Sequence, residues 1–252
     1  MSVTDRVPAA RVTLPICALM LCVFAWWAVV TTFAIPTFLL PSPVAVAAHL
    51  ADNPKLFVVN AMVTFERIVV GGAVGIVSGF CLGILVARIL WFRRALMPYL
   101  VTLRVLPTIA VAPLLLIYYG TGFTTGVIFV ALITFFPMVV STVAGFSTVP
   151  SEYRSLLESV DAGAQNAFFH VRLPSALPDV FAGLKQSVTL AVIGAVVAEW
   201  VVATSGLGTV ILLASEQVQP ALMLAAVAIL FVEGLTLYGA VTAVQRRVVW
   251  NE

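Results

Sequence analysis

Charged side chains set inside long apolar runs are where this chain has the means to do chemistry. Glu66 and Arg67, Arg104, Glu199 and Glu233 all stand in such runs. An ionisable group in hydrocarbon is costly unless it pairs, reaches an interface or faces water, so each marks a functional position by default. Arg104 follows Arg94 by about 15 Å of helix at 1.5 Å per residue. It either snorkels to the nearer surface or lines a polar pathway and attracts an anion. Glu199 and Glu233 pose the same choice between a pathway and an internal ion pair, whereas Glu66 and Arg67 read as an internal pair.

Other chemistries are excluded by what is missing. The two lysines, Lys55 and Lys185, have no phosphate-loop glycines before them, so the chain does not hydrolyse ATP by that route. His49 and His170 are too few and too far apart for a zinc helix, and no G-x-S-x-G elbow occurs. Cys17, Cys22 and Cys81 lie in apolar runs, as small hydrophobes do. The chain reads as a non-catalytic protein that binds no cofactor or metal.

The elements that carry these charges are set by composition. Of 252 residues, 62% are hydrophobic and 10% charged, against roughly 25% charged in a soluble domain, which makes this an all-α polytopic membrane protein. Six spans are expected: Leu14 to Phe33, Val58 to Ala87, Leu96 to Tyr119, Gly126 to Phe146, Val180 to Ala203 and Ala221 to Val244. Residues 1–13 and 248–252 are short tails on one transmembrane domain, residues 14–247. The first span reads as a retained helix rather than a cleaved signal, because its apolar run is long and no small-x-small site follows. Arg6, Arg11, Arg88, Arg93, Arg94, Arg154, Arg172, Arg246 and Arg247 then share one side, opposite Lys55, which makes that side and both termini cytoplasmic.

Gly71, Gly75, Gly79 and Gly83 recur every four residues, giving one smooth helix stripe for close packing or for sliding. Pro107, Pro113 and Pro137 bend the third and fourth spans. Between spans four and five lies a polar island. Tyr153, Leu156, Leu157 and Val160 have amphipathic-helix spacing after Pro150. A second short helix is expected from Ala164 to Val171, carrying Phe168 and Phe169, stopped by Pro174, with Pro178 opening span five. Exposed phenylalanines there need a partner or lipid to cover them.

Several blocks in order, RVLPTIAVAPLLLIYYGTG (Arg104 to Gly122), FFPMVVSTVAG (Phe135 to Gly145), VRLPSALP (Val171 to Pro178), FAGLKQSVTLAVIGAVVAEWV (Phe181 to Val201) and SGLG (Ser205 to Gly208), resemble the permease subunits of ATP-binding-cassette (ABC) importers. The resemblance is to the nitrate, sulfonate, taurine and bicarbonate branch, and the Phe181 to Val201 block also looks like permeases for thiamine precursors or riboflavin. It implies the type I importer permease fold in a bacterial inner membrane and a homodimer. Two cytoplasmic ATPase subunits would bind ATP and Mg, and an extracytoplasmic binding protein would deliver the solute. It implies that region 150–174 couples to the ATPase through Leu156, Leu157, Asp161, Ala162, Gly163, Ala164, Phe168, Phe169, Leu173 and Pro174. Here the family's coupling pattern E-A-A-x-x-x-G is altered: Ser155 stands for its glutamate and Asp161 for its glycine. Asp161 is compatible with the positive φ that such a turn demands, and with capping the second helix. The competing class is an ion-coupled secondary transporter or channel, for which the internal repeat expected of many such folds is not evident.

Overall fold

The computed structural model describes residues 7–103, 108–147, 163–202 and 204–249. Its described residues form helices: α1 (Val7–Thr32), α2 (Pro43–Asp52), α3 (Pro54–Arg88), α4 (Leu90–Leu103), a 3-10 turn (Thr108–Val111), α5 (Ala112–Tyr119), α6 (Phe123–Ser147), α7 (Ala164–Ala167), a π turn (Phe168–Arg172), α8 (Leu173–Val202), α9 (Leu207–Glu216) and α10 (Pro220–Val248). Among the described residues, five helical stretches are long and apolar enough to cross a membrane. The chain divides into two units, Met1–Val58 with Val210–Ala228, and Val59–Thr209 with Ile229–Glu252.

In the first unit, α1 exposes Leu14, Ile16, Leu19, Met20 and Phe24 all round its axis, as a helix surrounded by lipid does. Ser42 caps α2 by accepting a 3.2 Å bond from the Ala45 amide, with Pro43 at the first helical position. The sequence reading placed no helix here, since a ten-residue element is too short to register as a span.

The second unit is built on close backbone approach. The glycine stripe of α3 lies along α6. A Cβ on Gly71 would fall 2.8 Å from the Val127 carbonyl oxygen, and one on Gly79 2.7 Å from that of Phe135. Gly75 faces Thr134 and Ala131, and Gly83 faces Thr142 and Val139. Side chains would hold these helices apart, so glycine is what permits the contact. On a neighbouring face α6 meets α8, Gly183 against Ser141 and Gly145 against Ala176, and Ser187 donates a 2.9 Å bond to the Thr134 carbonyl. Buried clusters of Ile68, Val130, Ala191 and Ala195, and of Val86, Leu100, Val139 and Val143, fill the remaining space.

The order of these contacts fixes direction. Residues 71 to 83 meet 127 to 142 in ascending order, so α3 and α6 run the same way. The chain must therefore return between them; within the span expected from Leu96 to Tyr119, α4 reaches Leu103, a 3-10 turn covers Thr108–Val111 and α5 runs to Tyr119, and residues 104–107 lie outside the described residues. Gly120 closes α5 at φ 73°, a conformation that favours glycine.

Pro174 does not stop the short helix and Pro178 does not open a new one, because both lie inside α8. Helix is continuous from Ala164 to Val202 because the backbone widens into a π turn, in which the Leu173 amide bonds the Phe168 carbonyl. Widening just before Pro174 accommodates a residue that has no amide to donate.

Substituting Gly75 by Leu should force α3 from α6 and lower stability by about 1–3 kcal/mol or more, the usual cost of overpacking. The readout is the thermal midpoint in detergent; an unchanged midpoint contradicts the close contact.

Candidate functional site

Asn60, Thr64 and Arg67 stand at i, i+4 and i+7 on α3, one polar stripe on a mostly apolar helix. The stripe faces the end of α8 and the four residues Ser205 to Gly208. Arg67 Nη1 donates 2.7 Å bonds to both Glu199 Oε1 and the Ser205 carbonyl. The Thr64 hydroxyl lies 2.8 Å from Glu199 Oε1 and accepts a 2.8 Å bond from the Leu207 amide. The Gly206 amide donates to Asn60 Oδ1 at 2.8 Å, and the Gly208 amide to Glu199 Oε2 at 2.6 Å. Trp200 Nε1 closes the group on the Gly208 carbonyl at 3.0 Å.

Arg67 is 3% exposed and Glu199 1%. Hydrogen bonds to both carboxylate oxygens and from Arg67 Nη1 offset the burial of the pair, while Arg67 Nε is enclosed without a partner. Phe123 adds its ring face 6.0 Å from the guanidinium carbon. The glycines are demanded locally: Gly206 has φ 120° and its missing Cβ is where the Glu199 carboxylate lies, while a Cβ on Gly208 would sit 2.9 Å from that of Glu199. Three consecutive amides at the start of α9, otherwise orphans of a helix N-terminus, are thereby satisfied by two other helices. The arrangement offers neither nucleophile nor free base; it fixes a turn.

Several expected residues are placed differently. Arg67 pairs with Glu199, not with its neighbour Glu66, which is exposed. Adjacent helical residues point in different directions, so i, i+1 is a poor geometry for an ion pair. Both oxygens of Glu199 are engaged within the chain. Glu233, on α10, has its Oε2 enclosed without a hydrogen-bond partner. Phe168 stacks on Phe146 of α6, centroids 5.6 Å apart and planes 5° from parallel, and Phe169 packs edge-on against it while staying 54% exposed. Gly163 is exposed, Ala164 begins α7, and Leu173 and Pro174 form the first turn of α8. Arg104, Leu156, Leu157, Asp161 and Ala162 lie outside the described residues. Asn60, Thr64 and the Ser205 to Gly208 turn were not expected as partners of Glu199; the signal available was their helical spacing and the SGLG just after it.

Glu199→Ala should strand a buried guanidinium and cost about 3–5 kcal/mol, the penalty for breaking one side of a buried pair. Thermal unfolding of the detergent-solubilised protein tests this; a loss within the surface-pair range of about 1 kcal/mol would contradict it.

Known proteins share this architecture. The model of the binding-protein-dependent transport system inner membrane component matches residues 79–250. The riboflavin transport system permease protein RibX of Chloroflexus aurantiacus is 34% identical, over 89% of this chain and 84% of its own. The formylaminopyrimidine transport permease protein ThiX of Halalkalibacterium halodurans is 36% identical over 68% and 69%. The taurine transport system permease protein TauC of Escherichia coli is 29% identical over 96% and 91%. In fold, the chain is similar to an inward-facing structure of the MetNI methionine ABC transporter, with TM-score 0.69 and 17% identity over 79% of this chain and 99% of that one. The packed crossings of α3, α6 and α8 and the family match over residues 79–250 thus lead to one assignment: the chain belongs to the binding-protein-dependent transport system inner membrane components, as a permease subunit of an ABC importer.

Proposed function

We propose that this permease carries an aromatic nitrogen heterocycle of the pyrimidine or flavin type rather than a sulfonate or nitrate. The observation that carries this is the state of its buried charges. Among the described residues, the charge of the buried Arg67 is already neutralised by Glu199, although its Nε has no acceptor, whereas Glu233 has no ion-pair partner and its enclosed Oε2 is an acceptor without a donor. A heterocycle presents N–H groups to such an oxygen; a sulfonate presents only acceptors and would be repelled. The greater similarity to the riboflavin and formylaminopyrimidine permeases than to the taurine permease supports the same choice.

In this reading two copies of the chain form the pathway, a binding protein delivers the solute at the face bearing the Ser205 to Gly208 turn, and Arg104 and Glu233 line the route. ATP and Mg act in separate subunits that dock on region 150–174. Phe169 is the docking contact, since its ring is exposed while Phe168 is taken up by Phe146. Docked subunits then shift a two-state equilibrium of the bundle through the unbroken helix from Ala164 to Val202.

Phe169→Asp should abolish co-purification of the ATPase while leaving membrane insertion intact; an undiminished ATPase band refutes this docking contact. In the reconstituted complex, loaded binding protein should stimulate ATP hydrolysis with flavins or pyrimidines and not with sulfonates, and Glu233→Ala should cut that stimulation roughly ten-fold, the scale of one lost charge-assisted hydrogen bond. Stimulation by sulfonates alone would overturn the substrate assignment.

A further inference from the structure

At the end of α3 away from Asn60 and Thr64 lies a cavity of about 200 Å³ lined by Ile84, Ala87, Arg88, Phe146, Phe168 and Arg172. It is below the roughly 300–1,000 Å³ of a small-molecule pocket, too small for a flavin but ample for a phosphate group. Its walls are apolar and aromatic, and two guanidinium-bearing side chains stand at it. Among the described residues, the one ion pair is Arg67 with Glu199, so no described carboxylate pairs with Arg88 or Arg172.

We propose that this cavity binds the headgroup phosphate of an anionic phospholipid. Arginine matches phosphate oxygens in a bidentate fork, and two cations oppose one phosphate with no acidic side chain among the described lining residues. The surroundings favour a lipid as the source of that phosphate. Leu85, Ile89 and Leu90, which flank Arg88, are exposed apolar residues suited to an acyl chain, and Trp91, 68% exposed and stacked on Phe92 at 4.8 Å, marks the headgroup level. Arg93 and Arg94 follow one turn on, and basic pockets between spans on the positively charged side of a membrane protein suit anionic headgroups. The cavity shares Phe168 and Phe146 with the base of the α7 segment, so an occupied site braces the stacked pair that holds Phe169 outward. The lipid thereby becomes a structural partner of the ATPase-facing segment.

The test is native mass spectrometry of the permease with its ATPase subunits, titrated with phosphatidylglycerol, phosphatidylethanolamine and, separately, inorganic phosphate. Retained phosphatidylglycerol should exceed phosphatidylethanolamine, and the pair of substitutions Arg88→Gln and Arg172→Gln should lower it at least five-fold. Equal retention of the two lipids, or unchanged retention in the double variant, overturns the proposal. Displacement of phosphatidylglycerol by millimolar inorganic phosphate would assign the cavity to a free anion and overturn the lipid. Should the double variant not fold, photoactivatable phosphatidylglycerol on the unmodified complex should label the peptides holding Arg88 and Arg172; labelling confined to other peptides refutes the site.

Discussion

A carboxylate and a guanidinium withdrawn from water must satisfy each other, and in this protein that requirement organises an entire end of the bundle. Glu199 and Arg67 are nearly inaccessible, yet both carboxylate oxygens are engaged: Thr64 and Arg67 converge on one and the Gly208 amide on the other. Because the donors come from α3 and from the turn after α8, the ion pair can form only when both are in register. The turn at Ser205 to Gly208 is thus held by charge, in a place where apolar packing against lipid would hold nothing specific. For an importer permease this gives the turn one defined shape.

The same bundle depends on backbone proximity along its length. Glycines at 71, 75, 79 and 83 set α3 onto α6, and Gly183 and Gly145 set α8 onto a neighbouring face of α6, where it also touches α3. With three helices this close, a displacement of α8 moves its neighbours through contacts that have few intermediate positions. The Ala164 to Val202 helix carries Phe169 near one end and Glu199 near the other. It is a rigid element joining the segment that faces the ATPase in the proposed assembly to the ion-paired turn.

Much of this architecture was legible in the sequence, because hydrocarbon permits few solutions. Long apolar runs gave the spans, and the four-residue glycine repeat marked the stripe that meets α6. The third span was read as one helix because hydropathy does not register a 3-10 turn at Thr108 to Val111. Pro174 and Pro178 were read as breaks, since a linear pattern does not reveal a π turn that accommodates them. The partner of Arg67 was assigned to its neighbour Glu66, whereas the real one is 132 positions away. Sequence proximity is visible in a single chain and tertiary pairing is not; only the Asn60, Thr64, Arg67 spacing hinted that a polar stripe faced something.

The central claim is that Arg67 and Glu199 act as one unit fixing the turn at Ser205 to Gly208. Its most direct test is a double-mutant cycle on thermal unfolding with Arg67→Met, Glu199→Gln and the two combined. The account predicts that the combined variant is more stable than either single one, with a coupling of about 2 kcal/mol or more, because removing both charges strands neither. Additive losses within about 0.5 kcal/mol would show two residues acting independently and would contradict it.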